Sequence, residues 1–250
     1  MDLRWDILAG YGPLFLEGLW TTIELTLVAI ACGLALGVLL GLISSSRDAP
    51  PPKSVALYWV LKSIRGVALA YVTFFRGTPL FVQILLVHFA VMPALIHPDH
   101  GLLLSGDLAR QFRQDHGAFF SGAVALSLNA GAYISEIFRA GIQSIHLGQT
   151  QASWSLGLTH GQTMRYVVLP QAFRRMVPAL VNEGVALIKD SSLVSAIGLA
   201  ELALAARTVA GAYSRYWEPY LAISALYLAL TMLLSLAARK LEAPSHLRGR

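Results

Sequence analysis

The sequence predicts an all-α membrane protein with about five transmembrane helices in a single domain, residues 1–250. Of its 250 residues, 56% are hydrophobic and only 13% are charged, whereas about a quarter of the residues in a soluble domain are charged. The mean hydropathy is +0.60. The chain therefore has too few polar side chains to cover a water-soluble globule of this size, and a membrane fold is expected.

Five apolar stretches approach the length of about 20 residues that a helix needs to cross the hydrocarbon core of a bilayer. They are residues 19–44, 78–96, 118–138, 177–200 and 219–238. A stripe of glycines four residues apart, at 33–41, predicts a close helix contact for the first stretch. A sixth apolar stretch, 54–75, carries Lys62 and Arg65, and a charge at the bilayer centre costs about 3 kcal/mol or more. We therefore expect this stretch to form an amphipathic helix at the cytoplasmic surface, or one packed against the bundle, rather than a full span.

The distribution of Lys and Arg predicts an outer N-terminus and a cytoplasmic C-terminus. With this orientation the inner segments 45–76, 139–176 and 239–250 hold 13 Lys and Arg residues, and the outer segments hold 5. Positive residues concentrate in the short cytoplasmic loops of membrane proteins. The net charge of +5 therefore reflects membrane topology, and we expect no nucleic-acid partner.

The connection at about 145–172, between the third and fourth predicted spans, is too polar to cross a membrane and too patterned for an irregular loop. Trp154 and Leu156 indicate short helical turns, and Gly157 is expected to form the break between them. Pro170 is expected to end the second turn and to separate it from the next helix. A pair of short helices held below a membrane bundle suits the docking of a cytoplasmic partner.

This connection resembles the conserved cytoplasmic loop of permease subunits in ATP-binding-cassette importers, which docks on the ATPase subunit. The family loop has Glu-Ala-Ala, then Gly four residues after the second Ala, and ends aliphatic-x-Leu-Pro. The matching residues here, with the preceding glycine, are Gly148, Gln151, Ala152, Ser153, Gly157, Leu169 and Pro170. The sequence departs from the pattern at Gln151, where Glu is usual, and at Ser153, where Ala is usual. Gln151 keeps a hydrogen-bonding group but loses a charge-assisted contact to the ATPase.

Four further stretches resemble signatures of the polar amino-acid uptake family of these permeases, and they follow the family's order across residues 70–205. They are FRGTPL at 75–80, AYISEIFR at 132–139, PQA at 170–172 and KDSSL at 189–193. The resemblance implies the translocation pathway of an ATP-driven importer for a polar amino acid, with glutamate/aspartate or glutamine favoured. It also implies a multi-pass protein of the bacterial inner membrane.

The chain lacks the Gly-x-x-x-x-Gly-Lys-Ser/Thr phosphate loop, so it cannot supply its own ATP chemistry and is not expected to be an enzyme. The resemblance implies separate ATPase subunits carrying ATP and Mg²⁺, with no cofactor bound by this chain. It further implies an extracytoplasmic substrate-binding protein and a second permease subunit, the same or a sister chain, that completes a dimer. An ion-coupled secondary transporter and a membrane-embedded enzyme are the alternatives.

Several polar side chains in the predicted spans are disfavoured by lipid and need partners or a water-filled pathway. They are Asn129, Tyr133, Glu183, Lys189, Asp190, Ser191 and Ser192. An amino-acid substrate would need an acid for its ammonium and donors for its carboxylate, and this set contains both. Hydrogen bonds between helices, and a pair between Lys189 and an acid, are the open alternatives. Three histidines in the predicted outer loop, His97, His100 and His116, have irregular spacing, and no metal site is predicted.

Overall fold

The computed structural model describes residues 3–45 and 54–239, so the predicted inner segments at 46–53 and 240–250 lie outside the described residues. Within these ranges the regular structure is helical, apart from one bridge between Ile96 and Leu104. The α-helices are α1 (Asp6–Ala9), α2 (Gly12–Ser45), α3 (Val55–Gly77), α4 (Leu80–Leu86), α5 (Met92–Leu95), α6 (Gly106–Asp115), α7 (Gly117–Gln143), α8 (Leu147–Ser155), α9 (His160–Thr163), α10 (Leu169–Asp190), α11 (Leu202–Tyr213) and α12 (Trp217–Arg239). Two π-helical turns, Val87–Val91 and Met164–Val168, and a 3-10 segment, Ser191–Ile197, continue neighbouring helices.

The centre of the fold is the contact between α2 and α7, which run in the same direction. Three glycines of α2 face three α7 residues in ascending order: Gly33 faces Ala130, Gly37 faces Ile134 and Gly41 faces Phe138. A Cβ atom at Gly37 would lie 2.5 Å from Cγ2 of Ile134. The predicted close contact at 33–41 is therefore confirmed, since only glycine allows the two backbones to approach this far.

The third core helix, α10, runs antiparallel to α7. Met176 of α10 lies against Gly141 near the C-terminal end of α7, whereas Val194 in the following 3-10 segment lies against Gly122 near its N-terminal end. This register places Glu183 of α10 at about the level of Tyr133 on α7. Polar candidates from the two helices therefore lie at similar depths in the bundle.

Helix α3 forms in the stretch where an amphipathic helix is predicted. It contains 23 residues and is long and apolar enough to cross a membrane, but its last turn lies beside the C-terminal half of α7, where Arg76 is 3.3 Å from Glu136. Its placement at the inner surface therefore stays a prediction. Lys62 and Arg65 lie near the middle of the helix, and the Lys62 Nζ lies 4.7 Å from the Trp59 ring centroid. The C-terminal end packs on α7, where the Tyr71 hydroxyl donates to the Leu128 carbonyl.

The stretch predicted as the second span, 78–96, forms a shorter apolar helix, Leu80–Leu95, interrupted by the π-helical turn. At about 1.5 Å per residue this helix is about 24 Å long, which is less than the roughly 30 Å of a hydrocarbon core. Thr78 is extended and separates it from α3. The helix of the predicted second span is therefore 16 residues long, whereas the predicted stretch contains 19.

The expected break at Pro170 is corrected by the structure. The chain is helical without interruption from His160, through the π-helical turn, to Ile197. Pro170 lies directly after that π-helical turn, where the regular hydrogen-bond ladder is already altered, so a residue without an N–H is accommodated inside the helix. The interruption comes later, at Gly198 with φ +86°, and α11 follows at a bend of 52°.

Candidate functional site

At the C-terminal end of α7 the chain forms two short helices, α8 and α9, with a sharp turn between them. The Gly157 N–H donates to the Trp154 carbonyl over 2.9 Å, and the Leu158 N–H donates to the Ser153 carbonyl over 3.1 Å. These two bonds form a Schellman motif, which requires a left-handed residue, and Gly157 has φ +82°. The predicted break at Gly157 is therefore confirmed. We call residues 147–168 the coupling segment.

The second short helix begins at a reciprocal cap. The Thr159 side chain accepts from the Gln162 N–H, and the Gln162 side chain accepts from the Thr159 N–H over 2.9 Å. This capping box satisfies two N–H groups that a helix start otherwise leaves exposed. The coupling segment therefore has a defined shape on both sides of Gly157.

Polar contacts connect the coupling segment to the membrane bundle. The Gln171 amide of α10 donates to the Gln149 side chain of α8 over 3.4 Å. The Arg175 guanidinium donates to the Ser144 carbonyl just before α8. Ser153 is buried, and its hydroxyl donates to the Gln149 carbonyl over 2.7 Å. Hydrogen bonds from α10 therefore reach α8 through Gln171 and the residues just before it through Arg175.

The opposite side of α8 is open. Gln151 and Ala152 are exposed, and they lie among apolar side chains that no described residue covers, with Leu147 at 73% exposure and Leu156 at 81%. Exposed apolar groups of this size at one end of a bundle are typical of an interaction surface. Gly148 belongs to the N-terminal turn of the same helix, whereas Leu169 and Pro170 lie at the start of α10.

The Asn129 side chain takes part in a hydrogen-bond network between helices. Its amide donates to Oε1 of Gln83 over 2.9 Å, and the Gln83 amide donates to the carbonyl oxygens of Phe75 and Thr78. These acceptors belong to the end of α3, where helix carbonyls lack intrahelical partners. The structure favours a packing role for Asn129. Sequence reasoning missed Gln83, although a glutamine in an apolar helix directly after Thr78-Pro79 was a usable signal.

Tyr133 is 39% exposed, and the Arg76 guanidinium lies 5.6 Å from its ring centroid. Arg76 also lies 3.3 Å from Glu136, which makes a second ion pair with Arg139 at 2.8 Å. These three charged groups and the tyrosine form a partly exposed cluster on α7 and the end of α3. Tyr133 therefore borders an accessible polar surface, unlike Asn129.

The polar side chains at the C-terminal end of α10 do not form the ion pair that was one of the open alternatives. Across the described parts of the chain, no acid lies within 4.0 Å of Lys189, and neither Glu183 nor Asp190 makes a side-chain hydrogen bond or ion pair. Both acids are partly buried, while Lys189 is exposed. The Ser191 and Ser192 hydroxyls donate to helix carbonyl oxygens over 2.7 Å. Within the described chain the two acids therefore have no side-chain partner, whereas Ser191 is fully buried and Ser192 is partly buried.

A further buried acid was missed by sequence reasoning. Glu201 is fully buried and caps α11, because its Oε1 accepts from the Leu204 N–H over 3.0 Å. Its Oε2 accepts from the Tyr227 hydroxyl of α12 over 2.6 Å. Glu201 therefore fixes the position of α11 after the bend at Gly198. Its place shortly before an apolar helix was a signal for a helix cap.

A protein-family model described as the inner membrane component of binding-protein-dependent transport systems matches residues 33–243. The chain belongs to this family. Its members are permease subunits of ATP-binding-cassette transporters, which lack the ATPase and work with a partner ATPase. The resemblance inferred from the coupling segment and the other motifs is thereby confirmed.

Individual relatives agree along the whole length. The arginine transport system permease protein ArtQ of Bacillus subtilis is 35% identical over 97% of each chain. The glutamine transport system permease protein GlnP of Escherichia coli is 33% identical over 97% of each chain. A glutamate/aspartate import permease protein, GltK of Escherichia coli, is 36% identical over 83% of each chain.

Solved structures show the same fold. The crystal structure of an amino acid ABC transporter with histidines superposes with a TM-score of 0.76 at 36% identity, covering 97% of this chain and 99% of the other. The MetNI methionine ABC transporter in an inward-facing conformation gives a TM-score of 0.68 at 20% identity, covering 94% of this chain and 97% of the other. The family's permease fold therefore extends over nearly the whole chain.

Proposed function

We propose that this chain forms the membrane pathway of an ATP-driven importer for a polar amino acid and is driven by a separate ATPase through the coupling segment. The coupling segment carries this proposal. It is a rigid pair of short helices with an open apolar surface, fixed to α10 by side-chain hydrogen bonds. The three relatives named above, which transport arginine, glutamine and glutamate/aspartate, support the substrate class.

In this mechanism the residues of the coupling segment have distinct roles. Gln151 and Ala152 contact the ATPase, because they lie on the exposed side of α8. Gly148 leaves room for the cap of α8. A Cβ atom at this position would lie only 3.0 Å from the His146 Nδ1, which accepts from the Gly148 N–H. Ser153 and Gly157 fix the shape of the segment, and movement then passes through Gln171 and Arg175 into α10.

The start of α10 completes the transmission route. Leu169 and Pro170 lie where the π-helical turn becomes α10. A π-helical turn inside an α-helix often marks a functional position, because its extra residue can be rearranged at modest cost. We assign Leu169 and Pro170 to the point at which movement of the coupling segment enters the membrane bundle.

The substrate pathway is proposed to pass Glu183 and Asp190, with Tyr133 at a similar depth. An unpaired carboxylate in a membrane bundle is costly unless it faces a cavity or a charged ligand, and an α-ammonium group is such a ligand. Lys189 and Ser192 complete the polar surface, and the buried Ser191 lies directly behind it. The arrangement favours neutral or cationic amino acids over anionic ones, since a second negative charge would face the two acids.

The proposed assembly places the coupling segment in the cytoplasm and the N-terminus outside, in a bacterial inner membrane. Two permease subunits, this chain twice or with a sister chain, would pair with two ATPase subunits that hold ATP and Mg²⁺. An extracytoplasmic binding protein would deliver the substrate to the other side. The exposed apolar faces of α3 and α12 would contact lipid or the second permease.

The first test is purification of the tagged chain from its native host in mild detergent, followed by mass spectrometry of the bound proteins. We expect a stoichiometric ATPase and a second permease subunit, which would also distinguish a homodimer from a heterodimer. Gln151→Arg should reduce ATPase recovery, whereas Gln114→Arg, an exposed glutamine in α6 beyond the other end of α7, should not. Isolation of the chain without an ATPase, even after cross-linking through the coupling segment, would refute the proposal.

A further inference from the structure

A tight turn at residues 97–100 brings His97, Asp99 and His100 together, beyond the end of α7 opposite the coupling segment. One ligand atom from each side chain lies within 4.8 Å of the other two. His116, the third histidine that the sequence analysis singled out, caps the start of α7 and does not join this group. We propose that the turn is a binding site for a divalent transition-metal ion of the Zn²⁺ type.

The distances are close to those of a metal centre. The His97 Nδ1 lies 3.8 Å from the Asp99 Oδ2. The rings of His97 and His100 are stacked, with centroids 3.8 Å apart and planes inclined by 28°. Two ligand atoms that bind one Zn²⁺ at about 2.0–2.1 Å lie about 3.4 Å apart in tetrahedral geometry. The stacked rings would have to turn apart so that their in-plane nitrogen lone pairs meet at one ion, and the ligand atoms would have to approach one another by about 1 Å.

The backbone of the turn is already fixed, which lowers the entropic cost of ordering the ligands. The His97 N–H donates to the Leu104 carbonyl, and the Gly101 N–H donates to the His97 carbonyl, both over 3.1 Å. Pro98 restricts φ between the two histidines. At Gly101 a Cβ atom would collide with the Leu104 carbonyl oxygen and the His97 nitrogen. This close approach leaves the turn little conformational freedom.

The three side chains are chemically ready to bind a metal. The His97 Nδ1 accepts from the Asp99 N–H over 3.2 Å, so this nitrogen carries the lone pair that a metal needs. The Asp99 side chain is 84% exposed, and no described residue makes a hydrogen bond with the His100 ring. An ion would replace only the long Asp99 N–H bond and the contact between the rings.

The ligand set selects the class of metal. Two imidazoles and one carboxylate suit Zn²⁺, Ni²⁺ and Cu²⁺, whereas a single carboxylate is a poor site for Ca²⁺ or Mg²⁺, which prefer oxygen ligands. Three protein ligands leave a fourth position open to water or to a group from a partner protein. The proposed site is therefore an accessible centre with an exchangeable ligand.

The location gives the site a structural consequence. Pro98 lines a cavity of about 330 Å³ together with Met92, Ile96, Arg110 and Phe112. Because Pro98 lies between the two histidines, an ion bound to the turn would immobilise the rim of this cavity. The inference depends only on the turn, so it stands independently of the transport proposal.

The test uses the full chain in detergent or nanodiscs, purified through a tag that contains no histidines. Isothermal titration with Zn²⁺ should give a stoichiometry of one ion per chain, and Co²⁺ should produce the visible absorption of a low-symmetry site. His100→Ala removes an exposed ligand and should weaken Zn²⁺ binding by more than about 10-fold, since even outer-shell changes at metal sites cost about 10–100-fold. His116→Ala is the matched control and should bind Zn²⁺ as the unmodified chain does.

A second variant separates loss of the site from loss of folding. Asp99→Asn keeps the shape of the side chain and should weaken binding less than His100→Ala does, with unchanged thermal unfolding in the absence of metal. Binding of equal strength by a His97→Ala/His100→Ala variant would overturn the proposal. Failure of the unmodified chain to bind Zn²⁺ saturably with this stoichiometry would overturn it equally.

Discussion

The two acids of α10 make the sharpest prediction about single residues. If Asp190 binds the substrate ammonium, Asp190→Asn should lower uptake by about 10-fold or more, because a hydrogen bond to a charged group contributes about 1.5–3 kcal/mol. Recovery of the ATPase should be unaffected. Uptake of a labelled amino acid into proteoliposomes provides the measurement, and Asp107→Asn, on exposed α6, is the control. Equal uptake by the two variants would show that Asp190 has no part in the pathway.

The hydrogen-bond network of Asn129 predicts that replacing this residue lowers the stability of the fold and leaves substrate specificity unchanged. Asn129→Ala leaves Oε1 of buried Gln83 without the amide donor seen in the structure, and an unsatisfied buried group costs about 1–3 kcal/mol. Unfolding in a denaturing detergent should therefore begin at a lower detergent fraction. Asn182→Ala, which truncates an exposed amide on α10, should leave the transition in place. An unchanged unfolding transition for Asn129→Ala would show that the network does not contribute to stability.

At this scale the sequence predicts local chemistry well and partners poorly. The left-handed conformation of Gly157 and the glycine stripe at 33–41 follow from short-range patterns, and both are present. The bonds of Asn129 to Gln83, and of Glu201 to Tyr227, connect different helices. Which side chains meet in such a pair depends on how the helices pack, and no local pattern specifies that.

The coupling segment is the element whose shape should matter most. Gly157→Leu forces a branched side chain into a left-handed residue, which costs about 1–2 kcal/mol and distorts the turn between α8 and α9. We expect ATP hydrolysis to continue in the reconstituted complex while uptake falls. Gly161→Leu places the same side chain at an exposed glycine with open space around it and should keep both activities. Normal uptake with Gly157→Leu would remove the turn from the transmission route.

The close contact between α2 and α7 predicts that a larger residue in place of its glycines lowers the stability of the fold. Gly37→Ala adds a methyl group at the position where a Cβ would lie 2.5 Å from Ile134, and overpacking of this kind costs about 1–3 kcal/mol. Gly66→Ala, in α3 with no neighbouring atom within 4 Å, should instead preserve or raise stability, because alanine favours helix formation. Thermal unfolding of the two variants in the same detergent tests the difference. A Gly37→Ala chain as stable as Gly66→Ala would contradict the packing argument.

Helix lengths are where sequence reasoning about elements is least accurate. The stretch predicted as the second span, 78–96, forms a helix of only 16 residues, Leu80–Leu95, that contains a π-helical turn. Pro170 was expected to separate two helices and instead follows a π-helical turn inside one. In both cases the course of the helix depends on where a π-helical turn lies. Composition alone does not encode that position.

In the whole molecule, α7 separates the two ends of the bundle. It contains 27 residues and is about 40 Å long at 1.5 Å per residue. The segment before it carries the metal-binding turn, and the segment after it carries the coupling segment. A helix of this length can place the two in different compartments. The excess of Lys and Arg on the side of the coupling segment predicts that this side faces the cytoplasm.

Cysteine labelling tests this orientation, because Cys32 is the only cysteine of the chain and can be replaced by serine. In that background, Ser105→Cys before α6 and Ser155→Cys at the end of α8 are exposed positions on opposite sides. A membrane-impermeant maleimide should label Ser105→Cys in intact cells and Ser155→Cys only after permeabilisation. The reverse pattern would invert the topology and leave the proposed docking surface facing outward. Labelling of both positions from outside would mean that α7 does not cross the membrane, and the coupling mechanism would then lose its physical basis.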